Sequence, residues 1–116
     1  MTDVIQINVY EIVGSEFCVA SDDGQKVYDQ ISKILQNHKK VILSFRHVQS
    51  LTSAFLNSAI GQLYGRFSED EIKKNLSVKD MDNDDLYLLK RVVDTAKDFF
   101  KDPQKFKDAV QEALEE

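Results

Sequence analysis

The sequence predicts an α/β domain with the element order ββαβαβαα, in which helices pack against a single-layer, mixed, four-stranded sheet. An alternating apolar pattern at residues 4–13 and a contiguous apolar run at residues 41–43 are typical of strands. Apolar residues at helical spacing occur between and after these segments. The chain has 116 residues, which fits one domain spanning residues 1–116.

The first two strands and the first helix are predicted before residue 39. Ile5 and Ile7 alternate with polar neighbours, and Gly14-Ser15 offers a turn before the apolar segment EFCVAS, so we expect a β-hairpin. A helix then begins at about Gly24. Its apolar stripe consists of Val27, Ile31, Ile34, Leu35 and His38.

The centre of the sheet is predicted at the apolar run that follows. Val41, Ile42, Leu43 and Phe45 should be among the most buried residues, because a strand that is apolar on both faces is usually covered by helices on each side. The next helix is predicted from Ser53 to about residue 67, and the charged segment SEDEIKKN after it is interpreted as a linker.

The last third of the chain predicts one short strand and two helices. Leu76 and Val78 alternate with polar residues, as in a short peripheral strand. Asp82 or Asn83 caps a long helix that reaches about residue 100. Pro103 opens an additional amphipathic helix, so that residues 101–116 extend the domain at its C-terminal end.

The charge balance and the single cysteine restrict the class of protein. The chain has 20 acidic and 15 basic side chains and a net charge of −5, whereas a nucleic-acid-binding domain shows a clustered basic face. Cys18 cannot form an internal disulfide, which favours a reducing compartment. No signal peptide is evident, and no apolar run approaches the about 20 residues of a membrane span. We expect a cytoplasmic protein with neither nucleic-acid nor membrane partners.

No metal or cofactor is expected from the motifs. His38 and His47 have no cysteine or histidine at ligand spacing. The acidic run at residues 80–85 lacks the glycine and the final glutamate of a calcium-binding loop. The four glycines form no phosphate-binding loop.

One side of the helix after Ser53 carries small residues where an exposed helix would carry lysine and glutamate. The side opposite Ile60 includes Ala54, Ser58, Gly61 and Gly65. Each glycine costs about 1 kcal/mol of helix propensity, so close approach of another surface should offset the loss. The sequence leaves three surfaces open: the C-terminal helix of the same chain, a second copy of the chain, or a protein partner.

The strand VILSF, the loop RHVQSLT and the helix SAFLNSAIGQL together resemble a STAS domain, and more closely the STAS-like family of unknown function. STAS domains include the antagonists of anti-sigma factors. In that alignment Val48 and Leu51 take the apolar loop positions, and Ser53 takes the position of the phosphorylatable serine at the helix start. Leu56 takes the apolar position that closes the motif.

The resemblance implies a non-enzymatic regulatory module that binds a protein partner, for which an ATPase of the histidine-kinase fold is the expected class. It also implies that Ser53 is the phosphorylation candidate, and we expect Ser53 to cap its helix and to reach solvent. The expected partner-binding residues are His47, Gln49, Thr52, Ser53, Ala54, Asn57, Ser58, Gly61 and Gly65.

Two other functions remain open from the sequence. The domain could act without phosphorylation, as a small-ligand sensor or an assembly subunit, and a homo-oligomer is compatible with either. A hydrolase using Ser53 and His47 is a remote alternative, because no acid–base constellation converges on Ser53.

Overall fold

A computed structural model describes residues 3–101 of the chain. The amphipathic helix predicted after Pro103 lies outside the described residues. Within residues 3–101, no helix has both the length and the apolar character that crossing a membrane requires.

Five strands and five α-helices make up the described part of the chain. The strands are β1 (Val4–Asn8), β2 (Phe17–Cys18), β3 (Lys40–Ser44), β4 (Ser50–Leu51) and β5 (Leu76–Lys79). The helices are α1 (Val9–Val13), α2 (Ser21–Gln36), α3 (Ser53–Ala59), α4 (Glu69–Asn75) and α5 (Asn83–Lys101). A 3₁₀ helix (Gly61–Gly65) follows α3.

The main sheet has three parallel strands in the order β1-β3-β5. Val41 is aligned with Ile5 on one side and with Leu76 on the other, and Leu43 likewise lies between Ile7 and Val78. These apolar side chains share one face of the sheet because alternate residues of a strand point the same way. The prediction that β3 is the central strand is confirmed.

The predicted β-hairpin and the mixed four-stranded sheet are wrong. The alternating pattern of β1 stops at Asn8, and the one-turn helix α1 follows, ending at Gly14 in the left-handed conformation (φ 77°). The chain is thereby carried away from β1, and β2 pairs with β4 in a separate two-stranded parallel sheet. Helical connections make parallel pairing possible, since parallel strands need long crossovers.

The main sheet is buried chiefly on one face, which corrects the expectation that helices cover β3 on both sides. Val41, Leu43 and Phe45 are buried, with Leu43 at 0% exposure, but Ile42 is only partly buried. Ile42 lies between Gln6 and Ser77, both exposed, on the opposite face. Ile42 lengthened the apolar run in the sequence, although it lies at the centre of a polar face of the sheet. The run therefore did not require a second layer of helices on that face.

The charged segment after residue 67 forms helix α4 and not a linker. Ser68 Oγ accepts a hydrogen bond from the Glu71 amide at 3.1 Å and donates one to Glu71 Oε1 at 3.3 Å. Ser68 and Glu71 have the spacing of a capping box, in which a serine and the acid three residues later fix a helix start. Ile72, on this helix, is buried in the core.

Helices α2 and α3 approach closely at Gly24. A Cβ atom at this position would lie 2.6 Å from the Phe55 carbonyl oxygen and 2.8 Å from Ser58 Cβ. Both helices supply fully buried side chains to the same core, including Ile31 from α2 and Leu56 from α3. The absence of a side chain at Gly24 therefore sets how near the two helices can lie.

We predict that Gly24→Ala destabilises the domain although alanine has the higher helix propensity. The added methyl group meets backbone atoms of α3 that cannot rotate away, and overpacking of this kind costs about 1–3 kcal/mol. Urea unfolding followed by circular dichroism measures the change. Gln30→Ala, at an exposed position of the same helix, is the matched control and should leave the free energy of unfolding nearly unchanged. A Gly24→Ala variant as stable as the wild type would contradict the close approach.

Candidate functional site

The start of α3 is fixed by Thr52, and the expectation that Ser53 caps this helix is wrong. Thr52 Oγ1 accepts a hydrogen bond from the Phe55 amide at 3.2 Å and donates one to the Val19 carbonyl at 2.8 Å. Ser53 is the first residue of the helix, with its side chain exposed as expected. Because Thr52 satisfies the helix end, the Ser53 hydroxyl is not needed for the cap.

Ser53 lies at a cleft between α3 and α5 with a volume of about 410 Å³. From α3 the cleft is lined by Ser53, Ala54 and Asn57, all of which are exposed. From α5 it is lined by Leu88, Arg91, Val92 and Thr95. The cleft thus combines an apolar wall, a guanidinium group and small polar side chains, a mixture typical of binding sites.

Arg91 is the charged group of this cleft. Within residues 3–101 it forms no ion pair, and its side chain is exposed. The nearby acid on the same helix, Asp94, is bound by Lys90 at 2.9 Å, and this hydrogen bond lowers the pKa of Asp94. The guanidinium of Arg91 is therefore available to a carboxylate or phosphate from outside the described chain.

Three of the predicted partner-binding residues serve internal packing. Ser58 Oγ donates to the Ser21 carbonyl at 2.8 Å. Gly61 is buried, and a Cβ there would meet Asn57 Oδ1 at 2.5 Å and Ala96 Cβ at 3.5 Å. Gly65 is exposed, but a Cβ there would collide with the Phe100 ring.

The small-residue side of the predicted helix is thus divided between two helices of the same chain. Ser58 faces α2, and both glycines face α5. Of the three surfaces that the sequence left open, a helix of the same chain is therefore the one found beside both glycines. Partner binding at the residues of this side stays a prediction.

His47 and Gln49 lie apart from the cleft. The His47 ring packs edge-on against Tyr10, with 5.8 Å between ring centroids. The side chain of Gln49 is exposed, and its backbone amide donates to the Glu16 carbonyl at 2.8 Å. His47 and Ser53 line different cavities and no hydrogen bond joins them, so the arrangement required of a Ser–His nucleophile is not found in this structure.

A second, polar cavity of about 240 Å³ lies where β1, β3 and β5 end. The carboxyl ends of parallel strands meet at one edge of a sheet, where ligands of α/β proteins commonly bind. Ser44, at the end of β3, is buried, and its Oγ donates to Asp80 Oδ2 at 2.7 Å and accepts from the Arg46 amide at 3.3 Å. Arg46, His47 and Lys79 also line the cavity.

The backbone of this second cavity is strained at two positions. His47 has φ 70° and Asp80 has φ 62°, in the left-handed region. For a residue other than glycine this conformation costs of order 1–3 kcal/mol. The strain places Asp80 against Ser44 and His47 against Tyr10. Such outliers often occur at functional sites, where the surrounding structure enforces them.

Sequence reasoning missed Leu88, Arg91 and Asp80 as site residues. Leu88 and Arg91 belong to a helix 30 or more residues after Ser53, and only the packing of α5 on α3 brings them to the cleft. In the sequence Asp80 is the first residue of the acidic run at residues 80–85, which lacks the pattern of a calcium-binding loop. Its position directly after a strand was an available signal, since residues at strand ends collect at one edge of the sheet.

Cys18 is not a candidate nucleophile. It is fully buried, and its thiol lies 3.9 Å from the Ser15 carbonyl. Burial, and secondarily the charge of Asp23, raise the pKa of the thiol to about 11. A reactive cysteine requires the opposite shift. Among residues 3–101, no group of three or more histidine, cysteine, aspartate or glutamate side chains is arranged to hold a metal ion.

In this structure the parallel strand β3 leads through a loop to helix α3, which starts at the exposed Ser53. The family model described as "STAS-like domain of unknown function (DUF4325)" matches residues 23–86, which is more than half of the chain. The chain therefore belongs to this family, and the resemblance seen in the sequence is confirmed. No curated protein and no solved structure gave a significant match.

We predict that Thr52→Ala costs about 1 kcal/mol or more of stability, because it removes a helix cap together with the hydrogen bond to Val19. Thr52→Ser should keep most of both interactions. Ser53→Ala is the matched control and should change the free energy of unfolding little. Urea denaturation of the three variants distinguishes the positions, and a larger effect at Ser53 than at Thr52 would show that the cap is assigned to the wrong residue.

We predict that Cys18 reacts slowly with thiol reagents in the folded protein and rapidly once the protein is unfolded in urea. The unfolded thiol ionises near its ordinary pKa of 9.0, whereas the folded thiol keeps its proton up to about 11.

The free energy of unfolding should therefore fall as pH rises between these values, because the folded state binds more protons than the unfolded state. The fall should be smaller in Cys18→Ala, which has no thiol to titrate. An equal fall in both proteins would contradict the raised pKa.

Proposed function

We propose that this STAS-like domain is a non-enzymatic regulatory module that binds a protein partner at the cleft between α3 and α5, and that phosphorylation of Ser53 weakens the complex. The observation that carries the proposal is the position of Ser53, which is exposed and lines the same cleft as Arg91, a residue with no ion pair within residues 3–101. An ATPase of the histidine-kinase fold is the proposed partner, as the similarity to STAS domains suggests.

The chemistry of the cleft supports an acidic and apolar contact from the partner. Leu88 and the buried Val92 offer an apolar surface, and Arg91 offers a bidentate donor for one carboxylate. Asn57 can accept or donate hydrogen bonds at the opposite wall. A side chain or helix end carrying a glutamate or aspartate beside an aliphatic residue would satisfy all three groups.

Phosphorylation would change this contact without unfolding the domain. Ser53 Oγ would form a bond to the γ-phosphorus of ATP as the bond to the β–γ bridging oxygen breaks, with ADP leaving and the hydroxyl proton passing to a base of the kinase. The phosphate adds a charge of about −1.5 to −2. It would compete for Arg91 and repel the partner's acidic group. Since Thr52 makes the cap, modification of Ser53 leaves the start of α3 in place.

The proposal is tested by affinity capture with matched variants. Wild-type protein, Ser53→Asp and Arg91→Glu are immobilised and exposed to soluble extract of the source cells with a non-hydrolysable ATP analogue, so that Ser53 is not phosphorylated during capture. Ser77→Asp and Arg66→Glu, which change exposed residues outside the cleft, are the controls. We expect an ATPase of the histidine-kinase fold that binds the wild type and both controls but is lost from both cleft variants.

Intact-mass measurement after incubation with the captured ATPase and ATP provides the second readout. We expect the addition of one phosphate to wild type and none to Ser53→Ala. If the cleft variants capture the same proteins as the controls, the binding site is wrong. If the ATPase binds at the cleft but phosphate is found elsewhere or not at all, the switch is wrong and a constitutive binding module remains.

A further inference from the structure

The polar cavity at the ends of β1, β3 and β5 carries an inference separate from the cleft between α3 and α5. The two sites share no lining residue. We propose that this cavity is a binding site for a small dianion that bears carboxylate or phosphate groups.

Two cations line the cavity without partners inside the described chain. Arg46 and Lys79 are exposed, and within residues 3–101 neither forms an ion pair. Glu11 and Asp80 line the same cavity, yet neither carboxylate lies within ion-pairing distance of these cations. The positive groups are thus left available to an anion that enters from solvent.

The carboxylate of Asp80 is held by another group. The Ser44 hydroxyl donates to Asp80 Oδ2 at 2.7 Å, and the Arg46 amide holds that hydroxyl at 3.3 Å. Ser44 is 1% exposed whereas Asp80 is exposed, so the hydrogen bond is partly buried at its serine end. The arrangement keeps Asp80 turned toward the end of β3 and fixes the backbone from which the Arg46 side chain extends.

Neutral donors add to the two cations. The Tyr10 hydroxyl and the Asn8 amide belong to groups that line the cavity, and His47, held against Tyr10, contributes an imidazole. Asn8 Oδ1 already accepts a hydrogen bond from Gln6 at 3.3 Å, which leaves its amide nitrogen as the donor. The cavity therefore offers an anion the cations of Arg46 and Lys79 together with this hydroxyl, this amide and this imidazole, and the carboxylates of Glu11 and Asp80 lie beside them.

The size and place of the cavity limit the ligand. At about 240 Å³ it is smaller than the about 300–1,000 Å³ typical of sites for drug-sized molecules, so a small metabolite fits better than a nucleotide. The carboxyl edge of a parallel sheet is where ligands of α/β proteins commonly bind. His47 and Asp80, both in the left-handed conformation, line the cavity at this edge. A dicarboxylate and a phosphate share a charge of about −2 carried on oxygen atoms, which accept hydrogen bonds from groups such as Arg46 and Lys79.

The test is an NMR titration of the full chain, with sodium phosphate and disodium succinate as separate probes and ionic strength held constant with sodium chloride. We expect saturable shifts confined to amides around the cavity, chiefly Asn8, Arg46, His47, Lys79 and Asp80. The probe that saturates at the lower concentration identifies the source of the anion. If neither probe saturates, or if shifts spread over the lysine-bearing surface in proportion to concentration, the proposal is overturned.

Variants locate the site. Arg46→Gln and Lys79→Gln should each weaken binding by about tenfold or more, because each removes one charge-assisted hydrogen-bonding group. Arg66→Gln and Lys33→Gln, at exposed positions outside the cavity, are the matched controls and should bind as the wild type does. Both cavity side chains are exposed, and circular dichroism checks that each variant is folded. Equal weakening by the control pair would overturn the assignment.

Discussion

The position of α3 against α2 is the constraint on which the rest of the structure depends. Gly24 lets the backbone of α2 reach the Phe55 carbonyl, and two hydrogen bonds, from Thr52 to Val19 and from Ser58 to Ser21, join the same segments. The contact and the two bonds tie both ends of α3 to the chain around the start of α2. Packing of Phe55 and Leu56, both fully buried, then fixes the helices over the sheet.

This arrangement decides which side of α3 is left for binding. Ser58 donates a hydrogen bond to the start of α2, and the buried Gly61 lies beside α5. What remains is the side of α3 on which Ser53, Ala54 and Asn57 line the cleft. The small residues in the sequence thus indicated close helix packing. The exposed groups beside them are the ones that can contact another molecule. Both candidate sites consequently lie at edges of the fold, and the centre of the fold is apolar.

The sequence predicted the elements whose signal is local and failed where packing decides. β3, α2 and α5 were found because apolar runs and helical stripes are properties of short windows. The hairpin was wrong because Val9–Val13 continues an apolar pattern that a strand or a helical turn can both satisfy. Helix α4 was missed although Ser68 and Glu71 carried a capping-box signal. The cleft depends on Arg91, and the polar cavity depends on Asp80. The neighbours of these two residues in each site are distant in the chain, so they could not be identified before the fold was known.

Parallel pairing gives this chain a demanding folding problem. Val4 pairs with Lys40 and Val41 with Leu76, so each ladder joins segments about 35 residues apart. No turn can bring such strands together locally, and loop closure must precede every sheet hydrogen bond. β5 is the last of the three strands in the chain, and one edge of β3 stays unpaired until β5 joins the sheet. An unpaired strand edge is a template for pairing with other chains. The pairing of β5 with β3 therefore also protects the central strand from association with other chains.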